Sequence, residues 1–287
     1  MTALSSATTL SKDESANRGV IHVRELAGWG FDEYTYRPLR PDTKTAEASC
    51  FRAHNRKFEQ TDVLLNEETA AVRRALAAHA ERPDLLVEMK GLKWSLGVVD
   101  LRSLIAFQRR LFFNPEFFCP PVPTARDWPA LIALAFAQPA AVACNVVHDP
   151  DSRTLTLRST NPNLQLRVMD DAAAPVSVHS GSPFFEVARY RGRWFLRDGY
   201  HRAYNLLRAG VFEMPAVIIE TKTIEELGAV QPWFFSEEIL MSQTPPLVTD
   251  FLNEDLVLEY NRPALIKTLR ITMEETLAPA TDTGDQS

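Results

Sequence analysis

The chain has 287 residues, of which 45% are hydrophobic and 24% are charged, and its net charge is −6. This composition is ordinary for a globular protein with a sizeable core, and the acidic balance excludes a global attraction to nucleic acid or anionic membranes. Three well-separated cysteines argue against a disulfide framework and favour a reducing compartment. With no signal-peptide pattern and no apolar run of membrane-spanning length, we expect a cytoplasmic protein without a membrane partner.

The N-terminal part predicts a polar tail followed by a helical extension. Residues 1–18 are rich in serine, threonine and alanine, which is typical of disorder, and residues 19–94 are expected to be a mostly helical extension. Within it, EETAAVRRALAAHAER from Glu67 to Arg82 contains strong helix formers with apolar residues at helical spacing. This run therefore predicts a helix.

Residues 95–222 are predicted to form the core, with a large insertion at about 112–181. A strand is expected around Ser95–Leu101, and Asp127 before WPALIALAF predicts a capped helix start with Pro129 in its first turn. The insertion contains AVACNVV and RTLTLRS separated by HDPDS, a strong hairpin signal. A second hairpin is expected where Arg191-Gly192 separates FFEVARY from RWFLRD.

Beyond the core, residues 223–275 predict a helical segment, including a longer helix from Pro263 to Leu277, and residues 276–287 predict a second disordered tail. Local hairpins mixed with scattered helices indicate an α+β fold.

The stretch RGRWFLRDGYHRAYNLLRAGVFEMPAVII combines a strand end, a glycine turn and a helix start. Gly199 permits a tight reversal after Asp198, and apolar residues at i, i+3, i+4 and i+7 give the following helix one buried face. Unpaired N–H groups in the first helical turn attract anions, and Arg202 can hold a phosphate in bidentate fashion. His201 can donate to a phosphate or move a proton, and Asp198 can orient Mg²⁺ or accept a proton.

About thirty-five residues, FFEVARYRGRWFLRDGYHRAYNLLRAGVFEMPAVII, resemble the core of the ParB/sulfiredoxin superfamily. Members share a hairpin, a Gly-x-[His/Arg]-Arg turn, a short helix ending in Ala-Gly, and a strand opened by proline. A weaker match lies upstream in GVVDLRSLIAFQRR, which is similar to the family's opening strand and its Gln-Arg segment. The resemblance implies a ParB/sulfiredoxin-like core with flanking helices.

The resemblance also implies a site and a ligand. In the family this turn binds nucleotide phosphates, so Gly199, Tyr200, His201 and Arg202 are expected to bind ATP or CTP with Mg²⁺, and Asp198 and His201 to be catalytic. The motif is most similar to the Asp-Gly-His-His-Arg of the free serine kinases, which implies kinase-like phosphoryl transfer to a small molecule, or NTP hydrolysis. Sulfiredoxins place their reacting cysteine where Tyr200 stands, so we expect no sulfinic-acid reduction.

Several alternatives stay open at this stage. The core can serve as a non-catalytic scaffold for a protein partner, or for DNA, which the acidic charge disfavours. Segregation ParB proteins carry a helix-turn-helix domain, and no such pattern follows Thr223. Cys50 and His54 share their spacing with Cys144 and His148, which is compatible with a zinc site, but residues four apart on a strand lie about 13 Å apart. We predict no metal ligands in the protein itself.

Overall fold

The computed structural model describes residues 19–38, 42–55, 58–59, 61–65, 70–114, 121–139, 142–168 and 176–277. The predicted tail at 1–18, most of the tail at 276–287, and Cys119 lie outside these residues. The chain divides into two compact units, a larger one of residues 1–139 and 182–264 and a smaller one of residues 140–181 and 265–287. Across the described residues there are four small sheets and seven helices, so the predicted α+β class is confirmed.

The larger unit contains a mixed five-stranded sheet. Its strands are β2 (Lys93–Asp100), β3 (Ile105–Ala106), β9 (Glu186–Tyr190), β10 (Arg193–Asp198) and β11 (Glu213–Thr221), in the order β2-β11-β9-β10-β3. The central strand β11 is antiparallel to β2 and parallel to β9. Pro215 precedes the part of β11 that pairs with β9, so its missing N–H removes no hydrogen bond between these two strands. Phe184, Phe185 and Phe195 are fully buried in the core around this sheet.

A second sheet of the larger unit has three antiparallel strands. They are β1 (Val20–Leu26), β4 (Arg110–Phe113) and β12 (Val257–Pro263), with β1 in the centre. The buried Glu25 of β1 accepts hydrogen bonds from Arg37 and from the Tyr260 hydroxyl, and it pairs with Arg110 at 2.8 Å. This carboxylate therefore joins the three strands and the Arg37 loop through a buried ionic network.

The helices are short, and two of those described begin at a side chain that caps the helix N-terminus. They are α1 (Asp42–Asn55), α2 (Ala70–His79), α3 (Pro83–Glu88), α4 (Trp128–Ala135), α5 (Tyr200–Arg208), α6 (Ile224–Leu227) and α7 (Glu237–Leu240). Two 3₁₀ turns, Leu101–Ser103 and Val248–Leu252, complete the larger unit. The predicted start of α4 is confirmed, because the Asp127 carboxylate accepts the Ala130 N–H at 3.3 Å and Pro129 lies in the first turn.

The smaller unit is built from strands. In its three-stranded sheet, β6 (Thr154–Ser159) lies between β5 (Asn145–Asp149) and β13 (Lys267–Thr272), and a hairpin joins β7 (Leu164–Val168) to β8 (Val176–Ser180). The hairpin predicted at HDPDS is confirmed as β5–β6, and the one predicted at Arg191-Gly192 in the larger unit is confirmed as β9–β10.

One prediction about a helical segment is wrong. The helix predicted from Pro263 to Leu277 is absent, and Lys267–Thr272 is instead the strand β13, which pairs with β6. A pairing partner distant in sequence decides the structure here. The stretch expected to be a mostly helical N-terminal extension contains α1, α2 and α3, and it begins with the strand β1, whose partners β12 and β4 lie far along the chain.

Candidate functional site

The turn predicted from the sequence connects β10 to α5. Gly199 has φ 98°, and a β-carbon built on it would lie 2.6 Å from Cδ2 of the fully buried Phe185. The left-handed backbone and the close packing both require glycine here. The Gly199 N–H donates to the carboxylate of Asp198, which closes the turn.

Arg202 is engaged with backbone carbonyls. Its Nη1 donates to the carbonyl oxygens of Leu134 at 3.0 Å and Pro183 at 2.7 Å, and its Nη2 donates to that of Phe184 at 2.6 Å. Desolvation lowers the pKa of Arg202, and the nearby Asp198 and Glu186 carboxylates oppose this shift. In this arrangement Arg202 ties the end of α4 and the segment before β9 to the start of α5, and most of its hydrogen-bonding capacity is used.

Tyr200 is buried, and its hydroxyl accepts the N–H of Phe107 at 2.9 Å and that of Gln108 at 3.4 Å. Its ring packs edge-to-face on Phe107 and Phe251, and burial raises its pKa. The side chain therefore fixes the segment between β3 and β4 against the turn. Arg109 of that segment donates to the Gly30 carbonyl at 3.0 Å and stacks on Phe235.

Asp198 lies beside a second carboxylate. Glu186, its partner across the β9–β10 ladder, is buried and accepts a hydrogen bond from Ser182 Oγ at 2.6 Å and another from Arg197. Desolvation and the Glu186 charge raise the pKa of Asp198 to about 7, while Arg202, whose Nη2 lies 3.6 Å from Asp198 Oδ1, acts in the opposite direction. Asp198 is therefore partly protonated at neutral pH, which weakens it as a metal ligand.

His201 lies at the surface on the first turn of α5. Its ring meets Phe113 of β4 edge-on, with centroids 5.3 Å apart. Burial of part of the imidazole lowers its pKa to about 4, so it is neutral at pH 7. Within the described part of the chain, no hydrogen bond or ion pair joins His201 to Asp198, so the two residues predicted to be catalytic stand three positions apart in the sequence but do not form a pair.

A groove that the sequence did not predict runs along α5. Its main cavity has a volume of about 570 Å³, and a neighbouring cavity of about 340 Å³ shares His22 and Phe113 with it. We call this surface the α5 groove, and its lining includes His22, Phe113, Tyr204, Arg208, Glu254 and Glu259. None of the turn residues 198–202 lines either cavity.

The base of the α5 groove is an arginine held by carboxylates. Arg24 of β1 is buried, donates through Nε to the Phe251 carbonyl, and pairs with Glu254 at 2.5 Å and with Glu259. The sequence VIHVREL carries the signal that was missed, because its alternation puts His22 and Arg24 on one face of a strand and Ile21 and Val23 on the other. The opposing glutamates come from β12 and the preceding loop, which no local pattern connects to β1.

The residues at the turn fit a phosphate in part and do not fit a protein-bound Mg²⁺. His201 is exposed, but Arg202 is already bonded and Asp198 accepts the Gly199 N–H beside a second acid. Over the described residues no group of three or more histidine, cysteine or acidic side chains is arranged to hold a metal ion. Cys50 and His54 contact each other on α1, at 3.6 Å, and find no further ligand there.

Comparisons with family models, with curated proteins and with known structures find no match. In the part of the chain that the structure describes, every helix is too short or too polar to cross a bilayer.

Proposed function

We propose that this protein is a nucleotide-binding protein with a ParB/sulfiredoxin-like core, whose phosphate site is the first turn of α5. The order of hairpin β9–β10, left-handed Gly199, short helix α5 and strand β11 supports the proposal, because it is the order of the family motif. The packing of Tyr200 on Phe107 and Gln108 supports it further, since it brings the weaker upstream match against the turn.

The exposure of His201 is the observation that supports the proposal most. Of the four residues expected to bind phosphate, Gly199 and Tyr200 are buried and Arg202 is bonded to three carbonyls, whereas His201 faces solvent beside the start of a helix. A neutral imidazole can donate one N–H to a phosphate oxygen, and the helix dipole favours the negative charge there. Arg202 then acts by positioning the turn rather than by contacting the ligand.

Binding has more support than a reaction. Asp198 is half-buried, accepts the Gly199 N–H and is partly protonated at neutral pH, so we assign it no step through Mg²⁺. Phosphoryl transfer and hydrolysis, with Asp198 and His201 as catalytic residues, remain predictions from the resemblance.

Titration calorimetry with ATP and CTP, each with and without Mg²⁺, tests the proposal. We expect binding with similar affinity in both conditions, and His201→Ala to weaken it about fivefold, the value of one neutral hydrogen bond. His148→Ala, which removes an exposed histidine from β5 of the smaller unit, is the matched control and leaves binding unchanged. If the folded wild-type protein binds neither nucleotide, the proposal is wrong.

The saturation of Arg202 and Arg109 favours a second candidate function. Arg202 is the arginine that the motif would direct at phosphates, and it donates to backbone carbonyls instead, as does Arg109 of the weaker upstream match. In this second case the core is kept as a non-catalytic scaffold for a protein or DNA partner. A stably folded protein that binds neither nucleotides nor inorganic tripolyphosphate is the result that favours the scaffold.

A further inference from the structure

One face of α5 connects the predicted phosphate site to the α5 groove. His201, Tyr204 and Arg208 are spaced i, i+3 and i+7, so they lie on the same side of the helix, about 10 Å from first to last. Tyr204 and Arg208 line the groove, and Phe113 contacts both His201 and Tyr204 with ring centroids 5.3 Å apart in each pair. A ligand that contacts His201 can therefore extend along this face of α5 into the α5 groove.

The middle of the groove offers one partly exposed aromatic ring. Phe113 is half-buried, its ring packs against His22 and Tyr204, and Leu252 adds an aliphatic side. Tyr204 itself is buried, with Arg24 and Arg208 over its ring. Nucleobases stack on aromatic rings of this kind without needing a fixed hydrogen-bond pattern. A cavity of about 570 Å³ is within the range of small-molecule sites.

The far end of the groove offers hydrogen-bond acceptors. Glu254 is 75% exposed and Glu259 is 42% exposed, and each is paired with Arg24 through one carboxylate oxygen. Both side chains line the groove. Arg24 offsets one of their two negative charges, and an ionised carboxylate accepts a hydrogen bond from an N–H donor such as an exocyclic amino group.

We propose that the α5 groove is the base-binding half of the nucleotide site and selects bases that carry an exocyclic amino group, an inference that rests on the proposed function. The phosphates lie at His201, the base packs against Phe113, and its amino group donates to Glu254. The walls supplied by β1 and β12 lie outside the stretch that resembles the superfamily.

Pairs of nucleotides that differ only in the base test base selection separately from phosphate binding, on which this inference rests. Calorimetric affinities are compared for CTP against UTP and for ATP against ITP, which differ by an amino or an oxo group, with inorganic tripolyphosphate as the ligand without a base. We expect CTP and ATP to bind about five- to tenfold more tightly than UTP and ITP, since a charge-assisted hydrogen bond in a partly solvated groove is worth about 1 kcal/mol or slightly more. Tripolyphosphate should bind more weakly than any of the four.

Glu254→Gln is the test variant within the groove. Glu238→Gln on α7 is its control, because it makes the same charge change at an exposed position outside the groove. We expect the first variant to bring the CTP-to-UTP ratio to one or below, and the second to leave it unchanged, with tripolyphosphate affinity equal in both. If wild-type CTP, UTP and tripolyphosphate bind alike, or if Glu254→Gln keeps the wild-type ratio, the inference is overturned while the phosphate site stands. If no nucleotide and no tripolyphosphate bind, the proposed function itself is overturned.

Discussion

Replacing Gly199 by alanine measures how tightly the turn before α5 is packed. The added β-carbon would lie 2.6 Å and 2.9 Å from two ring atoms of Phe185, which is fully buried and cannot swing away. Left-handed backbone costs a non-glycine residue about 1–2 kcal/mol, and overpacking a core costs about 1–3 kcal/mol more. We therefore expect Gly199→Ala to lower the free energy of unfolding by about 2–5 kcal/mol.

Gly210→Ala is the matched control for the backbone contribution. Gly210 has φ 73°, yet a β-carbon there meets no atom within 4 Å, so this variant should show only the backbone cost of about 1–2 kcal/mol. Urea unfolding at 25 °C, followed by tryptophan fluorescence, gives both values, and their difference isolates the contact with Phe185. Equal losses in the two variants would refute the close packing described for this turn.

Three further substitutions test the charged groups of the larger unit. Arg202→Lys should destabilise the protein by about 2–4 kcal/mol in urea unfolding, because a single ammonium cannot reach three carbonyl oxygens, and an unchanged midpoint would contradict the tie between α4 and α5. The raised pKa of Asp198 means that the folded state holds its proton more tightly, so wild-type stability should fall as the pH rises from about 4 to 7. Asp198→Asn should remove this pH dependence of stability. The dependence amounts to about 1–2 kcal/mol after allowance for a carboxyl that is 41% exposed. If the variant keeps the wild-type pH dependence, another group is responsible for it. Glu25→Gln should cost about 3–5 kcal/mol by urea unfolding, because Arg37 and Arg110 are left to share Asp32 as a counter-charge. A loss below 1 kcal/mol would show the network to be energetically neutral.

Local patterns predicted the elements that are stabilised locally. The two hairpins were predicted because turn residues and alternating strands stand side by side in the sequence, and the start of α4 because its cap is three residues from its partner. The strand β13 was mistaken for a helix because its identity depends on pairing with β6, which is far away in the sequence. Its β-branched residues and two-residue alternation in LIKTLRIT were the available signal.

In the candidate site, too, the features formed by neighbouring residues were predicted and those formed by distant residues were not. The sequence predicted the position of the turn and the start of α5, since Gly199 and the apolar spacing after it are local features. It did not predict that Arg202 bonds to carbonyls, because the acceptors belong to Leu134, Pro183 and Phe184. The α5 groove was not predicted, because α5 contributes three side chains to it while β1, β4 and β12 each contribute only one or two from distant parts of the sequence.

The pairing of β13 with β6 has a consequence for the order in which the protein is made. Ser159 pairs with Lys267, so a ribosome must add roughly 110 residues after β6 emerges before its second neighbour exists. At ordinary synthesis rates that interval is about 5–20 s, during which one side of β6 offers unsatisfied backbone groups. The last strand of the larger unit ends at Pro263, so a chain that ends at residue 264 and has left the ribosome would contain every strand of the larger unit together with a β5–β6 hairpin that lacks β13.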